Sequence, residues 1–234
     1  MRKILSLMRK LIEQQHLIEN GDKIAVGVSG GKDSLTLLTA LREYQKYINP
    51  NFELVAVAID LSNGKMDYQK IADYCAQLQV PFHLENSNVF EVLFEIRKEK
   101  NPCSLCANMR RGLLNTTAKK LGCNKVALGH HADDLVETFL MSLFFEGRLY
   151  ALQPKTYLSR TNLEVIRPLL FVEENQIKKV SKNMPVLKNI CPQDHFSQRE
   201  NAKIIMKKFT EKYPDCKNKI LAALSHPNRN KLWN

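Results

Sequence analysis

Ile24-Ala25-Val26-Gly27-Val28-Ser29-Gly30-Gly31-Lys32-Asp33-Ser34-Leu35-Thr36-Leu37-Leu38 is the stretch on which the fold turns. The apolar run 24–28 reads as a strand, the pattern from Leu35 as a helix, and Ser29 to Ser34 as the turn between them. A strand, a glycine-rich turn and a helix start in that order make a phosphate site. Gly30 and Gly31 let the backbone approach an anion with no Cβ in the way. The N–H groups of the first helical turn then point at that anion. Lys32 adds a mobile positive charge, and Ser29 and Ser34 add hydroxyl donors. The spacing fits neither a Walker A loop nor the dinucleotide Gly-x-Gly-x-x-Gly pattern. Taken alone, Ser-Gly-Gly before a helix is also a common structural turn.

The pattern repeats downstream. A helix is expected over Ser34 to Tyr47. Leu54-Val55-Ala56-Val57-Ala58-Ile59 then forms an unbroken apolar run, as in a buried parallel strand, with Asp60 at its carboxyl end. A helix over Met66 to Leu78, a strand over Pro81 to Glu85 and a short helix over Val89 to Ile96, capped by Asn88, follow. Cys103 to Leu121 reads as a helix stopped by Gly122, Lys125 to Gly129 as a strand, and His131 to Phe145 as a helix. This alternation predicts an α/β fold, a doubly wound parallel sheet with helices on both faces. Ligands of such sheets collect at the carboxyl ends of the strands, which is where Ser29–Ser34, Asp60 and Gly129-His130-His131 fall.

Beyond Tyr150 the pattern gives a loop or hairpin at Gln153 to Arg160, a strand at Leu163 to Ile166, and helices near Glu173 to Asn183, Ser197 to Lys212 and Lys217 to Leu224. The expected organisation is an amphipathic first helix plus nucleotide core over residues 1–170. A basic helical extension covers 171–234.

The 234 residues carry a formal charge of +11, and 44% of them are apolar. The charge is concentrated. Arg97 to Lys125 holds eight Lys or Arg against one acid, and Phe171 to Asn234 holds thirteen against six. Clustered cations of this kind suit a polyanion such as a nucleic acid. No apolar run approaches the roughly 18 residues of a membrane span, and Arg9 cuts the opening apolar stretch short of a signal peptide. A cytoplasmic protein without a membrane partner is expected, and in that reducing setting metal or catalytic roles suit the six cysteines better than disulfides.

Cys103-Ser104-Leu105-Cys106 leaves four readings open: a zinc site, a redox dithiol, inert packing, or an iron–sulfur cluster with the distant Cys191. Cys75 and Cys123 sit in apolar patterns and read as small buried hydrophobes. His130 reads as lining a nucleotide site. Asp133 and Asp134 suit a helix N-terminus, and Asp134 also offers a hard oxygen to Mg2+. Arg110 and Arg111 read equally as solvated charge or as holders of an RNA phosphate or base.

Ser29-Gly30-Gly31-Lys32-Asp33-Ser34 in its strand-to-helix setting resembles the PP-loop of the ATP pyrophosphatase superfamily (adenine nucleotide alpha hydrolase-like). Cys103 to Cys106, Arg110-Arg111-Gly112, Gly129 to Asp134, Ile166-Arg167-Pro168-Leu169, Cys191 and Gln198-Arg199 extend the match. Together they resemble the tRNA 2-thiocytidine synthetases (TtcA type) over residues 1 to 225. The resemblance implies ATP on Ser29 to Ser34, with Lys32 acting on adenylation, and Asp60, Gly129 and His130 lining the site. It implies a 4Fe-4S cluster on three cysteines, Cys103, Cys106 and Cys191, with one iron left for sulfur. The reaction implied is adenylation of cytidine 32 of a tRNA at O2, then replacement of that oxygen by sulfur. A cysteine desulfurase or free sulfide would donate the sulfur, and a homodimer is allowed. Two departures bear on the substrate: Lys188 stands where the family has the first cysteine of a second Cys-x-x-Cys, and Pro192 replaces a small residue. The rivals are thiolation of another base, to 2-thiouridine for example, a lysidine-forming ligase, and a non-catalytic iron–sulfur RNA-binding or sensor protein.

Overall fold

The structure, a computed structural model, describes residues 1–47, 51–62, 64–96, 102–187 and 198–226. The expectations for Cys191, Lys188 and Pro192 lie outside the described residues.

Six strands form one sheet in the order β3-β2-β1-β4-β6-β5. They are β1 (Lys23–Gly27), β2 (Glu53–Asp60), β3 (Phe82–Asn86), β4 (Lys125–Ala127), β5 (Lys155–Leu158) and β6 (Leu163–Ile166). The first four and β6 run parallel, and β5 pairs antiparallel with β6. The Gln153 to Arg160 segment is therefore a hairpin arm rather than a loop.

Side chains of a strand alternate between its faces, so each central strand feeds two cores. Ile24, Val26, Leu54, Ala56 and Ala58 face α1 (Arg2–Gln15), α2 (Lys32–Tyr47), α3 (Gln69–Gln77) and α6 (Glu174–Val180). Ala25, Val55, Val57, Ile59 and Val126 face the other way, toward α4 (Pro102–Lys120) and a π-helical turn, Glu91–Ile96. That double burial explains the unbroken apolar run of β2, where seven of eight residues are buried. The π-helical turn replaces the α-helix expected there. Ahead of it Val89 N–H donates to Ser87 Oγ (3.3 Å), and the Asn88 carbonyl accepts from Val92 N–H (3.0 Å), the backbone bond of a helix N-cap position.

A third apolar cluster joins α5 (Ala132–Phe145) to α7 (Gln198–Lys212) and α8 (Cys216–Ser225), through Val136, Leu140 and Ala202 with Met206, Ile220 and Leu221. The basic C-terminal helices are thus packed on α5. From β1 the chain winds outward through β2 to β3, then crosses to the opposite side for β4. The β1–β4 seam is the point where a doubly wound sheet opens a crevice.

Candidate active site

At that seam the loop after β1 is organised by its own serines. Ser34 Oγ donates to the Gly31 carbonyl (2.9 Å) and accepts from Ser29 N–H (3.2 Å). Ser29 Oγ accepts from Gly31 N–H (3.3 Å). Gly30 takes the left-handed φ of +79°, and a Cβ there would come within 2.8 Å of the Leu187 side chain. Leu187 N–H also donates to the Gly30 carbonyl (3.0 Å). Gly129 brings the end of β4 against α2, where a Cβ would lie 3.0 Å from the Asp33 carbonyl. The end of β4 and the first turn of α2 therefore touch, backbone to backbone.

Lys32 pairs with Asp33 and with Glu174 at the start of α6, each at 3.1 Å. Burial alone would raise the Glu174 carboxyl, but the hydrogen bonds from Lys178 and Lys32 outweigh it and hold it at about 2. Burial alone would lower the Lys32 ammonium, and the Asp33 and Glu174 carboxylates outweigh it, so its proton is held more tightly than usual.

His131 closes α5 in a capping box. Its Nδ1 accepts the Asp134 N–H (3.4 Å), and Asp134 Oδ2 accepts the His131 N–H (2.9 Å). The other Asp134 oxygen accepts from Arg199 of α7 (2.7 Å), while Asp133 is gripped by Lys217 of α8. Asp134, the expected Mg2+ ligand, thus stands between a cap and an arginine. Asp33 Oδ1 is buried without a hydrogen bond among the described residues. Asp60 is fully buried and holds its own loop, accepting from Ser62 N–H (2.8 Å), Ser62 Oγ (2.6 Å) and Gly64 N–H (2.7 Å).

Between the phosphate loop and α4 opens a cavity of about 530 Å³, a size that suits a nucleoside or nucleotide. Ser29 and His130 line it from the strand ends, and Arg110, Arg111, Arg167 and Arg199 surround it. Among the described residues no Asp or Glu lines it. Burial, with the nearby arginine charges, pushes the His130 imidazole down to about 4, so it stands neutral at physiological pH.

Ala107, Arg110 and Leu114 mark the face of α4 that lines the cavity. Cys103 lies four residues before Ala107 and seven before Arg110, and Cys106 four before Arg110. Helical spacing puts both cysteines on that stripe, one turn nearer the helix N-terminus. Cys103 is exposed and Cys106 half-buried. Neither cysteine lines the cavity itself, and Cys106 packs against the second apolar core. Two thiols at i and i+3 fit two of the three thiolates a cluster needs. Among the described residues no group of three His, Cys, Asp or Glu could hold a metal ion.

A PP-loop domain model matches residues 2–186. The tRNA-cytidine(32) 2-sulfurtransferase of Pelobacter propionicus is 37% identical over 97% of this chain and 87% of its own length. That of Geobacter sulfurreducens is 38% identical over 96% of this chain and 90% of its own length. The chain belongs to the PP-loop family, in its tRNA-cytidine 2-sulfurtransferase type. Among solved structures, the U34-tRNA thiolase NcsA from Methanococcus maripaludis with its 4Fe-4S cluster matches this PP-loop chain with a TM-score of 0.74. The match has 25% identity and covers 93% of this chain and 76% of that one.

Three site residues of this PP-loop enzyme escaped local sequence reading: Glu174, Glu137 and Arg199 as the partner of Asp134. Each pairs across a long stretch of chain, and only the quoted Gln198-Arg199 motif carried a signal. Glu137 is buried one turn along α5 from Asp134. Burial first, then the Asp134 charge, lifts its carboxyl from the ordinary 4.5 to about 7, against the pull of Arg199 and Lys203. Between those pH values the folded chain holds more protons here than the unfolded chain, so stability falls as pH rises through the window. We expect Glu137→Gln to match the wild type near pH 4.5 and to exceed it at pH 8 by about 1–3 kcal/mol. Urea denaturation at both pH values checks this; an equal difference at the two would refute the burial argument.

Proposed function

We propose that this protein is an ATP- and iron–sulfur-cluster-dependent tRNA thiolase that converts cytidine, at position 32 as in the names of its relatives, to 2-thiocytidine. The observation that carries the reading is the shared cavity. The phosphate loop enters it through Ser29, and α4, which carries Cys103 and Cys106 in its first turns, lines it with Ala107, Arg110 and Leu114.

Ser29 to Ser34 would hold the ATP phosphates, with Mg2+ on the neighbouring carboxylates, Asp134 or the Asp33 oxygen that makes no hydrogen bond among the described residues. Gly129 and His130 would line the nucleotide from β4, and Asp60 would keep the β2 end in shape beside it. The cytidine O2 attacks the α-phosphorus, pyrophosphate leaves, and the oxygen becomes part of an AMP leaving group. Lys32 would leave Glu174 to meet the negative charge that develops on the phosphates. A sulfur nucleophile then forms the C2–S bond, and AMP departs with O2. Cys103 and Cys106, with Cys191, would hold a 4Fe-4S cluster, which when bound supplies sulfur at an iron that no cysteine ligates. Arg110 and Arg111 would grip the RNA backbone, in keeping with the cationic cavity. A cysteine desulfurase or free sulfide would renew the sulfur.

We read residues 1–170 as the nucleotide core and 171–234 as an extension whose cations Arg199 and Lys217 clamp α5. Cytosolic residence completes the proposal, and a homodimer is allowed by it. Among the described residues no helix is long and apolar enough to cross a membrane.

Purified anaerobically and given ATP, sulfide and unmodified tRNA, the protein should release one pyrophosphate and one AMP per 2-thiocytidine formed. Tight tRNA binding with no pyrophosphate would favour the sensor reading instead.

A further inference from the structure

Four buried side-chain atoms make no hydrogen bond among the described residues, and two of them, His130 Nδ1 and Arg167 Nε, belong to residues that line the 530 Å³ cavity. Buried polar atoms are nearly always paired, so each such atom calls for a partner. Arg167 is otherwise firmly placed. Its Nη1 donates to the Gln153 carbonyl (2.7 Å) and to Thr156 Oγ1 (3.1 Å), so the β5–β6 hairpin orients the guanidinium. The backbone holds it as well, since Arg167 N–H donates to the Pro154 carbonyl (2.9 Å). A guanidinium stays charged and its Nε–H can only donate. His130 lies near enough for the Arg167 charge to act on it, and its imidazole is neutral, so a ring nitrogen can accept.

A fixed donor beside a neutral imidazole matches one pyrimidine edge. Cytosine offers N3 as an acceptor and its 4-amino group as a donor. Uracil offers N3–H and the O4 acceptor, the reverse. We infer that Arg167 Nε–H reads N3 of the target base, with His130 taking a 4-amino hydrogen, and that this pair selects cytosine over uracil. The inference rests on cytidine being the substrate. Holding the base by N3 and the amino group leaves O2 for the phosphate loop, whose Ser29 lines the same cavity. The same contact assists the chemistry. When sulfur adds to C2, the C2–N3 π pair moves onto N3 beside the guanidinium. It returns to C2–N3 as AMP leaves, and the S–H proton passes to solvent. A donor held in place by the hairpin stabilises that transient charge without reorganising.

The test uses the cluster-loaded enzyme and two anticodon stem-loops, carrying cytidine or 3-deazacytidine at the target position. The second keeps O2 and the amino group but has C–H in place of N3. A hydrogen bond to a charged donor is worth about 10- to 100-fold, so wild-type kcat/KM and equilibrium binding without ATP should both fall by about that factor with 3-deazacytidine. In Arg167→Met the binding difference between the two stem-loops should collapse, and preference for cytidine over uridine should relax. Equal handling of the two stem-loops by the wild type would overturn the inference while leaving cytidine thiolation standing. An undiminished difference in Arg167→Met would do the same. No thiolation of the cytidine stem-loop at all would remove the functional reading and this inference with it.

Discussion

Cys103→Ser, Cys106→Ser and Cys191→Ser should each yield a colourless protein with no thiolation activity, while the wild type purified without oxygen should be brown and carry about four irons. Serine keeps the shape of the side chain but offers a harder, far less acidic oxygen in place of a thiolate, and it holds iron–sulfur units poorly. Cys103 and Cys106 lie on α4 one turn before Ala107 and Arg110, which line the cationic cavity, so on the proposed reading losing either removes a cluster ligand beside it. The other cysteines serve as controls. Cys75 is wholly buried, its thiol pushed up to about 11 by that burial, and Cys123 is buried against β4. Cys216 opens α8, with its sulfur 3.8 Å from Thr210 Oγ1. Serine at these three should leave colour and activity largely intact. Iron analysis beside nucleoside analysis decides: a colourless wild type with one zinc and full activity would remove the cluster, and loss of colour with Cys216→Ser but not Cys191→Ser would overturn the ligand set.

Lys32→Ala is expected to lower kcat by about a hundred- to a thousand-fold, the usual loss when a preorganised charge is taken from a developing anion. Stability should change little. The ion pairs of Lys32 to Asp33 and Glu174 are part-exposed, and such pairs contribute about 1 kcal/mol or less. Glu174 also keeps its second cation, Lys178, at 2.8 Å. Iron content and the denaturation midpoint should therefore match the wild type while pyrophosphate release collapses. Near-normal thiolation at saturating ATP would take Lys32 out of the mechanism.

What the chain showed in advance follows from how local its signals are. The β1 loop was readable because strand, glycines and helix start are contiguous, and the β2 run was readable because burial on both faces leaves no polar position. The π-helical turn at Glu91–Ile96 was not, since six residues are too few for periodicity to separate helix types. β5 was left open between loop and hairpin because its residues alternate only between exposed and half-buried. The ion pairs of Lys32 with Glu174 and of Asp134 with Arg199 were invisible for another reason. They join residues far apart in sequence, which only the packing of α6 beside α2 and of α7 onto α5 brings together. Asp60 shows the converse: a carboxylate at the right strand end, whose oxygens the fold uses on Ser62 and Gly64.

The central claim is that this chain puts sulfur on a tRNA cytidine. Nucleoside mass spectrometry of bulk tRNA, from cells with and without the gene, tests it most directly. The account predicts that 2-thiocytidine disappears without the gene and returns with the wild-type copy but not with Lys32→Ala, all thiouridines being unchanged. Loss of a thiouridine with 2-thiocytidine intact would contradict it.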